Sequence, residues 1–98
     1  MGEEADTIVT ISFMGGALIP GLPKTVTLPV DKPITVRVLL QRLEHIIPVP
    51  DLCAQLMHHY IVVLNGKAIQ HLQGWETLVA PGSRVSVVAP LGGGAGPA

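Results

Sequence analysis

The sequence predicts an α+β roll, a mixed sheet of about four to five strands wrapped around one main helix. Three observations carry this prediction. Two stretches rich in β-branched residues open the chain, at 7–14 and 25–30. A stripe of helical period follows them at 36–47. Two further apolar runs, at 60–64 and 85–89, are bounded by turn residues.

In chain order, residues 1–6 are acidic and polar and are expected to fray. The first strand is Thr7-Ile8-Val9-Thr10-Ile11-Ser12-Phe13-Met14, with Val9, Ile11 and Phe13 on one face. Gly15-Gly16, Pro20-Gly21 and Pro23 mark a loop. The second strand is Thr25–Val30, with Val26, Leu28 and Val30 inward. Its internal Pro29 has no N–H for a ladder, which favours a sheet edge. Asp31-Lys32-Pro33-Ile34 is a turn, and Thr35 is a good N-cap.

Val36, Leu39, Leu40, Leu43, Ile46 and Ile47 then form one apolar stripe on a helix, with Arg37, Gln41, Arg42 and Glu44 on the wet side. Pro48 and Pro50 end it, and Asp51 is positioned to cap a second short turn through Leu52–Met57. Tyr60-Ile61-Val62-Val63-Leu64 reads as a strand covered on both faces or lying centrally. Asn65-Gly66 is a two-residue hairpin turn, and Lys67-Ala68-Ile69 is a short return strand. Residues 70–83 read mostly as loop, with a helical turn at Trp75-Glu76-Thr77-Leu78. Pro81-Gly82 introduces the last strand, where Val85 and Val87 alternate with Arg84 and Ser86. Pro90 stops pairing, and Gly92-Gly93-Gly94 has no side chains to pack. The sequence thus predicts a single domain over 1–98, with an ordered core about 7–90 and a flexible tail at 91–98. Hairpin, one crossing helix, then further strands is the order of a β-grasp, or ubiquitin-like, roll.

Composition narrows the function. The chain is 48% hydrophobic and 13% charged, with a formal net charge of -1. Its six basic residues (Lys24, Lys32, Arg37, Arg42, Lys67, Arg84) are scattered, so no basic footprint for nucleic acid exists. The single cysteine, Cys53, excludes an internal disulfide and suits a reducing compartment. The start resembles no signal peptide, and no apolar run approaches the ~20 residues of a membrane span. A soluble cytoplasmic protein is expected.

Side-chain chemistry offers little. Adjacent His58 and His59, read on a strand, point to opposite faces and cannot share one ion with His45 or His71, so no metal site is expected. Cys53 reads as a buried structural thiol. Asp31, Glu44, Asp51 and Glu76 show no paired-carboxylate spacing. Trp75 reads as a core or rim anchor, and three aromatics in all do not make a stacking platform. Gly15-Gly16 with Gly21 lacks the helix and lysine of a phosphate loop. No catalytic residue is expected, and the chain is not read as an enzyme.

Four stretches resemble the MoaD/ThiS family of ubiquitin-like sulfur carriers, which serve molybdopterin and thiamine biosynthesis. Thr35-Val36-Arg37-Val38-Leu39-Leu40-Gln41-Arg42-Leu43 resembles its T-V-x-x-L-L-x-x-L, and Val62-Val63-Leu64-Asn65-Gly66 its V-x-V-N-G. Leu78-Val79-Ala80-Pro81-Gly82-Ser83-Arg84-Val85 resembles its L-x-x-G-D-x-V, with Ser83 where the family usually has Asp. Ala89-Pro90-Leu91-Gly92-Gly93-Gly94 resembles its closing P-P-V-x-G-G. The family normally ends at its second glycine, whereas here Ala95-Gly96-Pro97-Ala98 follows.

The resemblance implies that a peptidase removes these four residues. It implies that the carboxylate of Gly94, or of Gly93, is adenylated with ATP by an E1-like adenylyltransferase and converted to a thiocarboxylate. Pro90, Leu91, Gly92 and Gly93 would enter the partner's active site, and no cofactor would be held permanently. The partner receiving the sulfur would be the large subunit of molybdopterin synthase, or else thiazole synthase in a thiamine pathway. From another class, the same fold serves as a ubiquitin-like interaction module without sulfur transfer. Glycines suit the carrier reading, because a thin tail enters a channel that any Cβ would block, while the folded body docks outside.

Overall fold

The computed structural model describes residues 7–15 and 21–89. The described residues form seven strands: β1 (Ile8–Gly15), β2 (Thr25–Pro29), β3 (Ile34–Thr35), β4 (Ile61–Leu64), β5 (Lys67–Ala68), β6 (Leu78–Val79) and β7 (Arg84–Ala89). Two helices, α1 (Val36–Ile46) and α2 (Leu52–His59), and two 3₁₀ turns (Ile69–His71 and Gly74–Glu76) complete the fold. The main sheet has five strands in the order β2-β1-β7-β4-β5. β1 and β2 form the opening hairpin, β7 runs parallel to β1, and β4 is antiparallel to β7. This is the α+β, β-grasp arrangement that the element order predicts.

Alternation explains which side each strand buries. Val9, Ile11 and Phe13 of β1, Val62 and Leu64 of β4, and Val85, Val87 and Ala89 of β7 all enter one core. Leu39, Leu40 and Leu43 of α1 and Leu52 and Leu56 of α2 close it from the other side, fully buried. Thr35 caps α1: its Oγ1 accepts the N–H of Val38 at 3.2 Å. Pro29 sits on the edge strand β2, as a residue without an N–H should. Asn65 and Gly66 both adopt positive φ, 47° and 90°, as a tight hairpin between β4 and β5 requires.

The structure corrects the sequence reading at several points. Ile46 is 52% exposed rather than part of the buried stripe. At 100° per residue it lies about 80° from Val36, on the margin of the apolar face. The short turn after Pro50 is a full helix to His59. Asp51 does not cap it through its side chain but sits in the left-handed region at φ 54°. Glu44 of α1 reaches over instead, its Oε2 accepting the Cys53 N–H at 3.4 Å.

β4 lies inside the sheet, paired with β7 and β5, as one of the two readings of its apolar run had it; the other fails, because Ile61 is 46% exposed while Val62 is buried. The segment read mostly as loop contains β6, which pairs with β3 as a second, two-stranded sheet. Two-residue strands are too short to show a period of two. Ile69 belongs to the 3₁₀ turn rather than to β5.

Candidate functional site

β7 is the middle strand of the sheet, hydrogen-bonded to a neighbour along both edges. Its residues are buried alternately, and its last residue, Ala89, is 2% exposed. The ladder with β1 runs to the final rung, Gly15 opposite Ala89, and Ile61 pairs with Val88 on the other side. Ala89, which Pro90 follows in the sequence, is therefore held at a paired, buried position. Pro90, Leu91, Gly92, Gly93 and Gly94, the predicted site residues, lie outside the described residues, as do Ala95–Ala98.

The last rung demands glycine. Gly15 has φ +114°, and a Cβ built on it would stand 2.3 Å from the carbonyl oxygen and 2.7 Å from the nitrogen of Ala89. No side chain fits there without moving one strand end. The sequence reading assigned Gly15 to the loop and missed this role. The available signal was a glycine directly after an alternating strand, which marks a close backbone approach.

Register also determines the surface around this exit. Met14, Val88 and Ile61 lie abreast on the outer face of the sheet, opposite the helices. The next row is Ser12, Ser86, Val63 and Ala68. Met14 and Ile61 are 45% and 46% exposed, and neither row holds an ionisable group. An uncharged, largely apolar face thus adjoins the end of β7. Beside it, a groove of about 230 Å³ opens among Tyr60, Ile61, Ile69 and Trp75. Trp75 is partly buried against the core, as a rim anchor is. Arg84 begins the charged part of the outer face one row further on, across from Thr10.

The remaining candidates do not converge. His58 and His59 lie in the last turn of α2, not on a strand, with ring centroids 6.3 Å apart. Among the described residues, no group of three or more His, Cys, Asp or Glu side chains is arranged to hold a metal ion. Cys53 is half-buried rather than fully buried, its Sγ 3.8 Å from the Met57 Sδ. Burial, and then the nearby Glu44 carboxylate, push its thiol pKa up, which makes it a poor nucleophile. Ser83, where the family usually has Asp, is buried; its Oγ accepts from the Asn65 amide at 3.4 Å.

A family model described as the ThiS family matches residues 18–94. None of the curated proteins matches the chain in sequence. Among solved structures, the HVO 2177 protein of Haloferax volcanii is similar with a TM-score of 0.61 and 27% identity, over 90% of this chain and 89% of that one. Urm1 from Trypanosoma brucei gives a TM-score of 0.66 and 21% identity, over 90% of this chain and 96% of that one. Small archaeal modifier protein 1 from Methanosarcina acetivorans gives 0.61 and 20%, over 90% and 97% respectively.

Proposed function

The chain belongs to the ThiS family, and from that membership we propose that it is a ubiquitin-like sulfur carrier that works through its C-terminal glycine. The observation that carries this reading is the handover at Ala89: a buried central strand ends there, and Pro90-Leu91-Gly92-Gly93-Gly94 follows directly. A carrier of this kind needs a rigid body, a thin tail and no catalytic side chain.

In this reading a peptidase removes Ala95–Ala98 and frees the carboxylate of Gly94, or trimming exposes Gly93. An E1-like enzyme joins that carboxylate to the α-phosphate of ATP and releases pyrophosphate. Hydrosulfide, HS⁻, then attacks the acyl carbon, the C–O bond to AMP breaks and AMP leaves, and the product loses its S–H proton to remain as a thiocarboxylate. The acyl-adenylate is what makes the step possible, since a free carboxylate is a poor acceptor. The apolar rows headed by Met14, Val88 and Ile61 are the natural docking face, because they adjoin the tail's root and cost little to desolvate. The proline-flanked ending favours molybdopterin synthesis over the thiamine pathway, with the large synthase subunit as the receiving partner.

Intact mass of the protein recovered from its own cells tests the proposal. The expected species ends at Gly94 or Gly93 with one oxygen replaced by sulfur. A chain found only at full length, even with the activating enzyme and ATP supplied, would overturn it. An activated carboxyl group at the same end would also allow a second use, transfer to an amine. Adducts of target proteins carrying the glycine tail through an isopeptide bond would support that instead.

A further inference from the structure

The carrier's reach depends on where its tail starts, and the last rung of the sheet controls that start. Gly15 crosses Ala89 so closely that a Cβ would lie 2.3, 2.7 and 3.0 Å from the carbonyl oxygen, nitrogen and carbonyl carbon of that residue. Contacts under 3.0 Å are ones that real Cβ atoms essentially never show. All three contacts are backbone, so no flexible side chain can swing away to relieve them. Ala89 is itself buried and paired, and it is the last described residue before the tail. We propose that Gly15 is a positioning residue for the C-terminal tail: by carrying no side chain it lets the end of β7 lie tight against β1, and so aims the tail at the partner's active site.

The physical argument is one of leverage. Gly94 lies five residues beyond Ala89, about 17 Å if fully extended. A side chain at position 15 must displace or turn the Ala89 backbone, and so shift the point from which this short tail has to reach a partner's reacting centre. A misplacement of about 1 Å at a reacting centre can lower a rate by about 100-fold. The apolar outer face is made by other side chains, Met14, Val88 and Ile61, none of which Gly15→Ala removes. The substitution therefore acts on the chemical step more than on binding.

The test rests on the sulfur-carrier reading for its kinetic arm and is independent of it in its structural arm. Gly15→Ala is compared with Gly66→Ala. Gly66 shares the positive φ, +90°, but a Cβ there meets nothing within 4 Å. The control therefore imposes backbone strain without the clash. In amide NMR of the free proteins, Gly15→Ala is expected to shift Ala89, Leu91 and Gly92, whereas Gly66→Ala leaves them unmoved.

In adenylation by the activating enzyme, Gly15→Ala is expected to lower kcat at least 10-fold with KM within about twofold of wild type. Lengthening the tail by one glycine after Leu91 should restore part of that loss. Unmoved tail amides would overturn the proposal, and so would an unchanged kcat. Should Gly15→Ala fail to fold, the wild-type protein still decides: a strong NOE between a Gly15 Hα and the Ala89 amide is expected from the close approach, and its absence would overturn the proposal. The kinetic arm uses chains trimmed to Gly94; if neither that form nor one ending at Gly93 is adenylated in wild type, the sulfur-carrier reading fails, and the NMR arm still decides whether Gly15 positions the tail.

Discussion

Asn65 and Arg84 hold each other by two hydrogen bonds: the Asn65 N–H donates to the Arg84 carbonyl at 2.8 Å, and the Arg84 N–H donates to Asn65 Oδ1 at 2.9 Å. The Asn65 amide also donates to Ser83 Oγ. One side chain thus ties the β4–β5 turn to the start of β7. Asn65→Gly keeps the left-handed backbone and loses only the side-chain bonds, so it should lower unfolding stability by about 1 kcal/mol. Asn65→Ala adds strain at φ 47° and should lower it by about 2 kcal/mol. Urea unfolding of both variants checks the order; equal losses would show that the turn strain is irrelevant.

The exposed apolar row predicts a binding defect without a folding defect. Met14→Ala and Ile61→Ala remove side chains that are already about half exposed. Each should change stability by less than about 1 kcal/mol. Combined, they should raise the KM for adenylation by about 10-fold at unchanged kcat, the loss expected of a modest interface anchor. Steady-state kinetics with the activating enzyme separates this from the kcat effect expected at Gly15.

Two neighbours on α1 should differ sharply. Leu43 is fully buried against the sheet, and Leu43→Ala should destabilise by about 2–5 kcal/mol. Ile46 is exposed, and Ile46→Ala should stay within about 0.5 kcal/mol of wild type, since alanine is also the better helix former. Thermal or urea unfolding measures both.

Cys53 should be slow to react. Its raised thiol pKa leaves less thiolate at pH 8 than a free cysteine has, so iodoacetamide should label it more slowly than it labels the unfolded chain. The sign for stability follows. The folded state holds the proton more tightly than the unfolded one, so this contribution is present at neutral pH and fades as the pH rises above the unfolded thiol's pKa. Cys53→Ser should flatten that alkaline loss.

Much of the fold was legible because its elements are long enough to show a period. Val9, Ile11 and Phe13, the stripe through Leu39, Leu40 and Leu43, and the Val85–Val87 alternation each mark a buried face that the structure keeps. Local chemistry was legible as well: the Thr35 cap and the Asn65-Gly66 turn depend on neighbours within a few residues. The elements missed were those whose reason lies far away in sequence. β3 and β6 exist only because Ile34 meets Val79 and Thr35 meets Leu78. The start of α2 is met by Glu44 on another helix, which no local signal at Asp51 announces.

By itself the sequence determined an α+β roll, the cap at Thr35 and the turn at Asn65-Gly66, and a glycine run that begins three residues after Ala89, because each depends on composition or on short-range pattern. Only the tertiary structure decided that this last strand lies at the centre of the sheet, that Met14, Val88 and Ile61 stand together beside its end, and that Gly15 crosses Ala89 too closely for any side chain. These are matters of register and of contact between residues up to some seventy positions apart, and a periodic pattern carries no information about which strand lies next to which.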